Sequence, residues 1–292
     1  MRTGDSRIVI TSVRSRQDRA GRARRRAERG PAMDRTTTPL PATGRGVLVT
    51  GASRGIGRAI AAAFARQGDR VAVHCSGRGA DAEETLAALE GEGHALLAAD
   101  LADPARVAEL ADAADAALGG VDVLVNNAAV MVGHPLADTS WEDWQEAWRR
   151  TVDVNLLGAA HLSHRVAHRM IGAGREGRIV NVGSRGAFRG EPDHPAYGAT
   201  KAALHALGQS LAVSLAPHGI AVASVAPGFV ATERVAGRLE GPEGEAIRAQ
   251  SPFGRVADPA EIASAVLYLA SPAALWSSGT VLDVNGASYL RT

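Results

Sequence analysis

The chain contains one lysine, Lys201, and it follows Tyr197, one of only three tyrosines, by four residues. On a helix, residues four apart share a face, so the phenol and the ammonium can point into one site. A neighbouring ammonium favours the phenolate and lowers a tyrosine pKa from its ordinary value of about 10. A tyrosine tuned in this way can give a proton to a carbonyl oxygen or take one from an alcohol. The bland alternative is an amphipathic surface pair, and chance would produce this spacing in roughly one per cent of such chains. Ser184 lies thirteen residues before Tyr197, just past the apolar run Ile179–Val182. A hydroxyl at the carboxyl end of a strand faces the ligand crevice of an open α/β sheet. There it can hold a substrate oxygen and stabilise developing negative charge.

The elements that must position these groups follow a regular alternation. Short β-branched runs are predicted as strands at Gly46–Thr50, Arg70–Cys75, Ala95–Ala99, Val121–Asn126, Arg178–Val182, Ile220–Ala226 and Thr280–Val284. Ala-rich helices are predicted between them, near 56–68, 81–91, 104–118, 141–172, 196–216 and 259–270. The strand runs are continuously apolar rather than alternating, which suits a parallel sheet covered on both faces. Repeated strand–helix units imply right-handed crossovers and a doubly wound α/β fold with about seven strands. No long linker interrupts residues 45–292, which read as one domain.

The first strand runs into Thr50-Gly51-Ala52-Ser53-Arg54-Gly55-Ile56-Gly57 and then a helix. Glycines at a strand-to-helix turn let the backbone approach a pyrophosphate, and the helix N-terminus supplies free N–H groups. A tight turn is the bland reading, but this strand–loop–helix context is the one a nucleotide site requires.

The spacing T-G-x-x-x-G-x-G, with the Y-x-x-x-K pair, resembles the short-chain dehydrogenase/reductase family over residues 45–290, nearly the whole globule. The resemblance implies a single Rossmann-like domain and a catalytic set of Ser184, Tyr197 and Lys201. Asn155, in Val154-Asn155-Leu156-Leu157-Gly158, matches the fourth member, an Asn that holds a proton-relay water near the lysine. Further cofactor contacts are implied at Thr50, Gly51, Ser53, Arg54, Gly55, Ile56 and Gly57. Asp100, beside Leu101, resembles the acid at the adenine ring. Asn126-Asn127-Ala128-Ala129 resembles the family's N-N-A-G run, with Ala in the last place, so Asn127 and Ala128 line the cofactor. Pro227, Gly228, Val230 and Thr232 resemble the segment near the carboxamide, while Asp283-Val284-Asn285-Gly286 matches the family's V-D-G-G more loosely. By the same alignment Cys75 stands where NAD enzymes carry an acid, and no acid appears until Asp81. Ser76, Arg78 and Arg54 can meet a 2′-phosphate, so NADP(H) is expected in preference to NAD(H). The nearest branch in general pattern reduces 3-oxoacyl groups on carrier protein, which makes Arg175 and His218 the basic positions to examine for carrier contact. Candidate pocket residues are Met131, Val132, Arg185, Phe188, His194, Phe229 and the stretch 230–250. The family also implies a homo-oligomer, a tetramer or dimer, paired through the helices near 141–172 and 196–216. The competing reading is a catalytically silent NADP(H) sensor or scaffold, against which the complete tetrad argues.

Composition bounds the rest. A single cysteine, Cys75, excludes an internal disulfide and a Cys-based zinc site, and a cytoplasmic, reducing compartment is expected. No run of 18 apolar residues suggests a membrane span. The total charge is +1, yet residues 1–32 hold ten arginines against Asp5, Asp18 and Glu28, a net +7, leaving −6 on the remainder. An acidic globule does not suggest a nucleic-acid partner. Residues 1–44 read as a disordered Arg-rich tail. A transit peptide, a nucleic-acid-binding arm, a solvated tail and translation begun upstream of Met33 remain open for it. His161, His164 and His168 share helical spacing, as do Trp141, Trp144 and Trp148. Both sets read as packing or contact stripes, and no metal is expected.

Overall fold

In the computed structural model, strands and helices alternate along residues 38–41, 43–77 and 79–291, which the structure describes. Seven strands, β1 (Gly46–Val49), β2 (Arg70–Cys75), β3 (Ala95–Ala98), β4 (Val123–Asn126), β5 (Gly177–Val182), β6 (Ile220–Pro227) and β7 (Val281–Val284), form one parallel sheet in the order β3-β2-β1-β4-β5-β6-β7. The order reverses between β1 and β4, and at such a switch point the loops diverge and leave a crevice at the carboxyl edge. This is the single Rossmann-like domain that the alternation predicts.

Successive strand residues face opposite layers. Val47 and Val49 of β1 pack against α1 (Gly55–Arg66) and later helices, whereas Leu48 packs into the other layer with α3 (Pro104–Leu118). Both layers are dry, which is why the strands carry no polar alternation. α2 (Ala80–Ala87) ends before the predicted residue 91. The helix predicted over 141–172 divides into α4 (Trp141–Val152), a π-helical turn (Asp153–Gly158) and α5 (Ala159–Gly172). Three short helices escape the sequence: α6 (Gly186–Arg189), α8 (Glu233–Glu240) and α9 (Gly244–Arg248). α8 buries none of its residues, so it has no apolar stripe to read. α7 (Pro195–Leu215) and α10 (Pro259–Leu269) fall where predicted, and both start with Pro in the first turn, where its missing N–H is harmless. Asp258 and Glu261 close a capping box on α10.

The amino edge of the sheet is pinned by a buried ion pair. Arg45 donates to both oxygens of Asp69 and also to the Ala270 carbonyl, joining the starts of β1 and β2 to the end of α10. The expected disordered tail is shorter than predicted at its carboxyl end. Thr38 pairs in parallel with Arg175, and Leu40 is buried, its N–H donating to Glu176. One buried leucine and three backbone hydrogen bonds outweigh the ordering entropy that polar composition alone suggested. The rest of the expected tail, residues 1–37 and residue 42, lies outside the described residues. No helix among the described residues is long and apolar enough to cross a membrane. Leu40→Ala is expected to remove about 2 kcal/mol of burial. That corresponds to a fall in Tm of about 4–8 °C by differential scanning calorimetry.

Candidate active site

The crevice is built on the turn after β1. Gly51 has φ +62° and Gly55 has φ +56°, a region that favours glycine. A Cβ on Gly57 would lie 2.2 Å from the Gly51 carbonyl oxygen, so only glycine lets helix and loop close together. The N-terminus of α1 has no side-chain cap and no acidic residue in its first turn. Its free N–H groups and dipole therefore suit a pyrophosphate, and the loop fits the dinucleotide that the motif implies. Thr50 anchors the turn. Its hydroxyl accepts from the N–H groups of Asn127 (2.9 Å) and Ala128 (3.0 Å) and donates to Val125. Asn127 returns its amide to the carbonyls of Thr50 and Gly51.

Three supporting residues carry no sequence motif. His74 in β2 accepts from the Gly51 N–H through Nδ1 and donates through Nε2 to the Ala99 carbonyl. Burial lowers its pKa to about 4, so it acts as a neutral strut beneath the loop. Arg58 and Thr85 both donate to the Ser53 carbonyl and tie the loop to α2. Across the crevice Thr232 lies against Gly55, within 3.2 Å of where a Cβ would stand. Asp100 is held by Arg150 and by the Ala102 N–H, which together keep its carboxyl below the usual range. Leu101 is buried beside Gly158. Ile56 packs on the core, Val230 is buried and bridges to Ala257, and Gly228 lies against Asn285. Ser76 is exposed past β2, and Arg54 is exposed, its guanidinium making no hydrogen bond among the described residues. Arg78 lies outside the described residues.

The candidate residues converge at the ends of β4 and β5 and the start of α7. Tyr197 is half-buried, and the nearby Ser184 side chain acts to lower the pKa of its phenol. Lys201, 2% exposed, donates to the Val182 carbonyl at 2.6 Å, and its Nζ lies 5.7 Å from the centre of the Tyr197 ring. Asn155 sits in the π-helical turn. Its amide exchanges hydrogen bonds with both backbone groups of Val130 and donates to Thr200 in α7. Such turns frequently mark functional positions because they re-aim a side chain. Here the turn directs Asn155 at the strand β4 loop and at the helix carrying Lys201.

The electrostatics differ from the sequence expectation. The phenol was expected to be lowered by Lys201. Instead burial raises the Tyr197 pKa, against smaller lowering by Ser184 and by the charge of Arg234. Lys201 is itself pushed down to about 7, by burial first and by Arg234 second. Desolvation outweighs the expected pairing. Arg234, on α8, donates to the Ala129 carbonyl and is the cation that sequence reasoning missed. Its only available signal was its position just past the Pro227–Thr232 segment. His205, one turn beyond Lys201, is buried, stacks on Phe188 at 5.1 Å and is lowered to about 4.

Other candidates fall elsewhere. Arg175 and His218 precede β5 and β6, at the amino edge opposite Ser184, and Arg175 is matched to Asp115 and Asp122. Neither adjoins the crevice, because in a parallel sheet every strand start lies on the far edge. Phe188 is taken up between His205 and Arg291. Trp144 and Trp148 pack on His134, while Trp141 is 68% exposed. His164 and His168 stack on each other, and no metal-binding group forms among the described residues.

A switch-point crevice over a glycine-rich turn between β1 and α1 defines an α/β protein of the dinucleotide-binding kind, with Ser184, Tyr197 and Lys201 at its edge as candidates for proton transfer. A family model described as enoyl-(acyl carrier protein) reductase matches residues 51–287. The 3-oxoacyl-[acyl-carrier-protein] reductase of Vibrio cholerae is 38% identical over 248 residues, covering 85% of this chain and 98% of that one. The D-threitol dehydrogenase of Mycolicibacterium smegmatis is also 38% identical, over 85% and 94% of the two chains. The L-rhamnose 1-dehydrogenase (NAD(P)(+)) of Azotobacter vinelandii is 39% identical, over 84% and 96%. The chain belongs to the short-chain dehydrogenase/reductase family and is an oxidoreductase acting on a carbonyl or alcohol with a nicotinamide cofactor.

The low pKa of Lys201 sets a pH signature. Below about 7 the folded and unfolded chains both carry the charge, and the folded one bears its full burial penalty. From there to the ordinary lysine value the unfolded chain binds more protons, so wild-type stability rises with pH. Lys201→Met is therefore expected to lose turnover yet to gain most in Tm over wild type at pH 6. That margin should shrink by pH 9.5, and a pH-independent margin would contradict a buried, depressed ammonium.

Proposed function

We propose that this chain is an NADP(H)-dependent reductase or dehydrogenase in which Tyr197 transfers the oxygen proton. The observation that carries this reading is the convergence of Ser184, Tyr197, Lys201 and Asn155 at the crevice, with Ser184 acting on the phenol and the Lys201 Nζ 5.7 Å from the tyrosine ring centre. Ser184 holds the substrate oxygen, Tyr197 gives or takes its proton, and Lys201 sets the proton affinity of Tyr197 and holds the cofactor ribose. Asn155 anchors the relay from the π-helical turn. The bound cofactor supplies or accepts the hydride, while the chain supplies position and field. Thr50, Gly51, Ser53, Arg54, Gly55, Ile56 and Gly57 cradle its pyrophosphate side. Asp100, Leu101, Asn127, Ala128, Pro227, Gly228, Val230 and Thr232 line the remainder.

The substrate is a small carbonyl or secondary alcohol, and a 3-oxoacyl thioester is the form favoured by the resemblance to the Vibrio cholerae reductase. A silent NADP(H) sensor is the second reading, and the undamaged tetrad speaks against it. A cytoplasmic homo-oligomer, dimer or tetramer, paired through α4–α5 and α7, accompanies the family assignment. Tyr197→Phe removes only the proton donor and keeps the ring. It is expected to lower kcat by at least about a hundredfold, with NADPH binding unchanged in fluorescence titration. Turnover within tenfold of wild type would remove Tyr197 from the role.

The preference for NADP(H) rests on β2 ending in Cys75 rather than an acid, and on the unpartnered guanidinium of Arg54. A carboxylate there would repel a 2′-phosphate, whereas an arginine makes a charge-assisted contact. The expected kcat/KM ratio for NADPH over NADH is well above one in wild type and falls about tenfold or more in Arg54→Ala. A wild-type ratio at or below one refutes the preference.

A further inference from the structure

The helix that carries Tyr197 starts without a side-chain cap of its own. α7 opens at Pro195, which has no N–H, and the side chain of His194 before it caps nothing. Tyr197 and Gly198 donate their N–H groups back to the His194 carbonyl. That leaves the N–H of Ala196, a fully buried residue, to find a partner elsewhere. The partner is the ring of His134, 62 residues earlier in the chain. Its Nε2 accepts from the Ala196 N–H at 3.2 Å, and its Nδ1 donates to the Val132 carbonyl at 2.8 Å. The His134 backbone N–H donates to the Asp193 carbonyl at 2.9 Å. Both ring partners are backbone groups with a single role each, so the ring is neutral with its proton on Nδ1. It is 1% exposed, and Trp144 and Trp148 of α4 hold it edge-on, with ring centres 5.3 and 6.5 Å away. α4 thereby fixes the plane of the ring that meets α7.

Asn155 ties the other end of the same loop. Its amide holds both backbone groups of Val130 and reaches Thr200 in α7. The loop after β4 is therefore joined to α7 at Ala196 and at Thr200, and Tyr197 lies between the two ties. We infer that His134 is a positioning residue for Tyr197: a cap supplied from the β4 loop that fixes the first turn of α7 and with it the direction of the phenol. The inference deepens the reductase reading and rests on it. Without the cap a buried N–H is left unpaired one residue before Tyr197, and the turn relieves that cost only by moving. A small displacement of the proton donor slows the reaction. The phosphate turn after β1 takes no part in this contact, so cofactor binding is spared.

The test uses the full chain with NADPH and a panel of ketones, aldehydes and 3-oxoacyl thioesters, and follows the probe reduced fastest. His134→Leu keeps apolar volume against the tryptophans and removes both ring nitrogens. It is expected to lower kcat about tenfold or more, with KM and the NADPH dissociation constant within about twofold of wild type. His134→Gln restores an acceptor at the reach of Nε2 and should recover about threefold or more of that loss. In the Tyr197→Phe background no phenol remains to be aimed, so adding His134→Leu should change the residual rate by less than about twofold. If circular dichroism shows that His134→Leu does not fold, His134→Gln is compared with His134→Asn, whose oxygen is too short to reach Ala196, and the Gln variant should be faster by about threefold or more. A kcat near that of wild type in His134→Leu, a loss carried by KM or by NADPH affinity, a Gln variant no faster than Leu or Asn, or an undiminished loss in the Tyr197→Phe background each overturns the positioning role and leaves the reductase reading standing. Failure of wild type to oxidise NADPH with any member of the panel overturns both.

Discussion

One hydroxyl group, that of Thr50, holds the crevice open. At the switch point β1 and β4 are neighbours whose following loops leave in opposite directions, so their last backbone groups would lose their partners. Thr50 supplies three of those hydrogen bonds at once, two accepted and one donated. Asn127 closes the circuit from the other side. The glycine-rich turn can then rise off the sheet without orphaned backbone, a condition buried polar groups rarely escape. His74 supports the same turn from below, and burial keeps it uncharged.

Around that frame the site brings together one buried ammonium, that of Lys201, and one exposed guanidinium, that of Arg234. Both bear on Tyr197: the Lys201 Nζ lies 5.7 Å from its ring centre, and the charge of Arg234 lowers the pKa of its phenol. A low-dielectric pocket of excess positive potential suits negatively charged ligands, whether the cofactor phosphates or the developing charge on a substrate oxygen. The same desolvation raises the tyrosine and lowers the lysine. Two proton affinities that are nearly equal in water are thereby driven apart, with the proton held more tightly by Tyr197 than by Lys201.

The relatives differ in the substrates for which they are named. Proteins named for 3-oxoacyl carrier protein, threitol and rhamnose all stand at 38–39% identity to this chain. Equal similarity to unlike substrates means that the sheet and the proton-transfer set do not encode the substrate. What is left to distinguish substrates is the set of walls around the crevice, α6, α8 and α9. Those walls are short helices with little buried surface, free to vary without disturbing the core.

Much of the fold was legible in the residues alone because burial on both faces imposes an unmistakable pattern. Val47 to Val49 and Val123 to Val125 cannot alternate when two helical layers cover them, and the glycines of the turn answer to backbone geometry that no other residue satisfies. The Tyr197–Lys201 pair followed from helical spacing and the absence of any other lysine. Arg234, His74 and Arg58 could not be found in this way, since each acts on a partner remote in sequence. The break of the long helix at Asp153–Gly158 was equally invisible, for a π-helical turn changes no residue type. The proton affinities of Tyr197 and Lys201 depend on how much water the folded chain excludes, and Arg175 was misplaced because spacing cannot tell which edge of a sheet a loop occupies. Local sequence determines the conformations a segment can adopt at low energy. Only the assembled chain determines which charges are desolvated and which distant groups meet, because both depend on the three-dimensional distribution of solvent and neighbours.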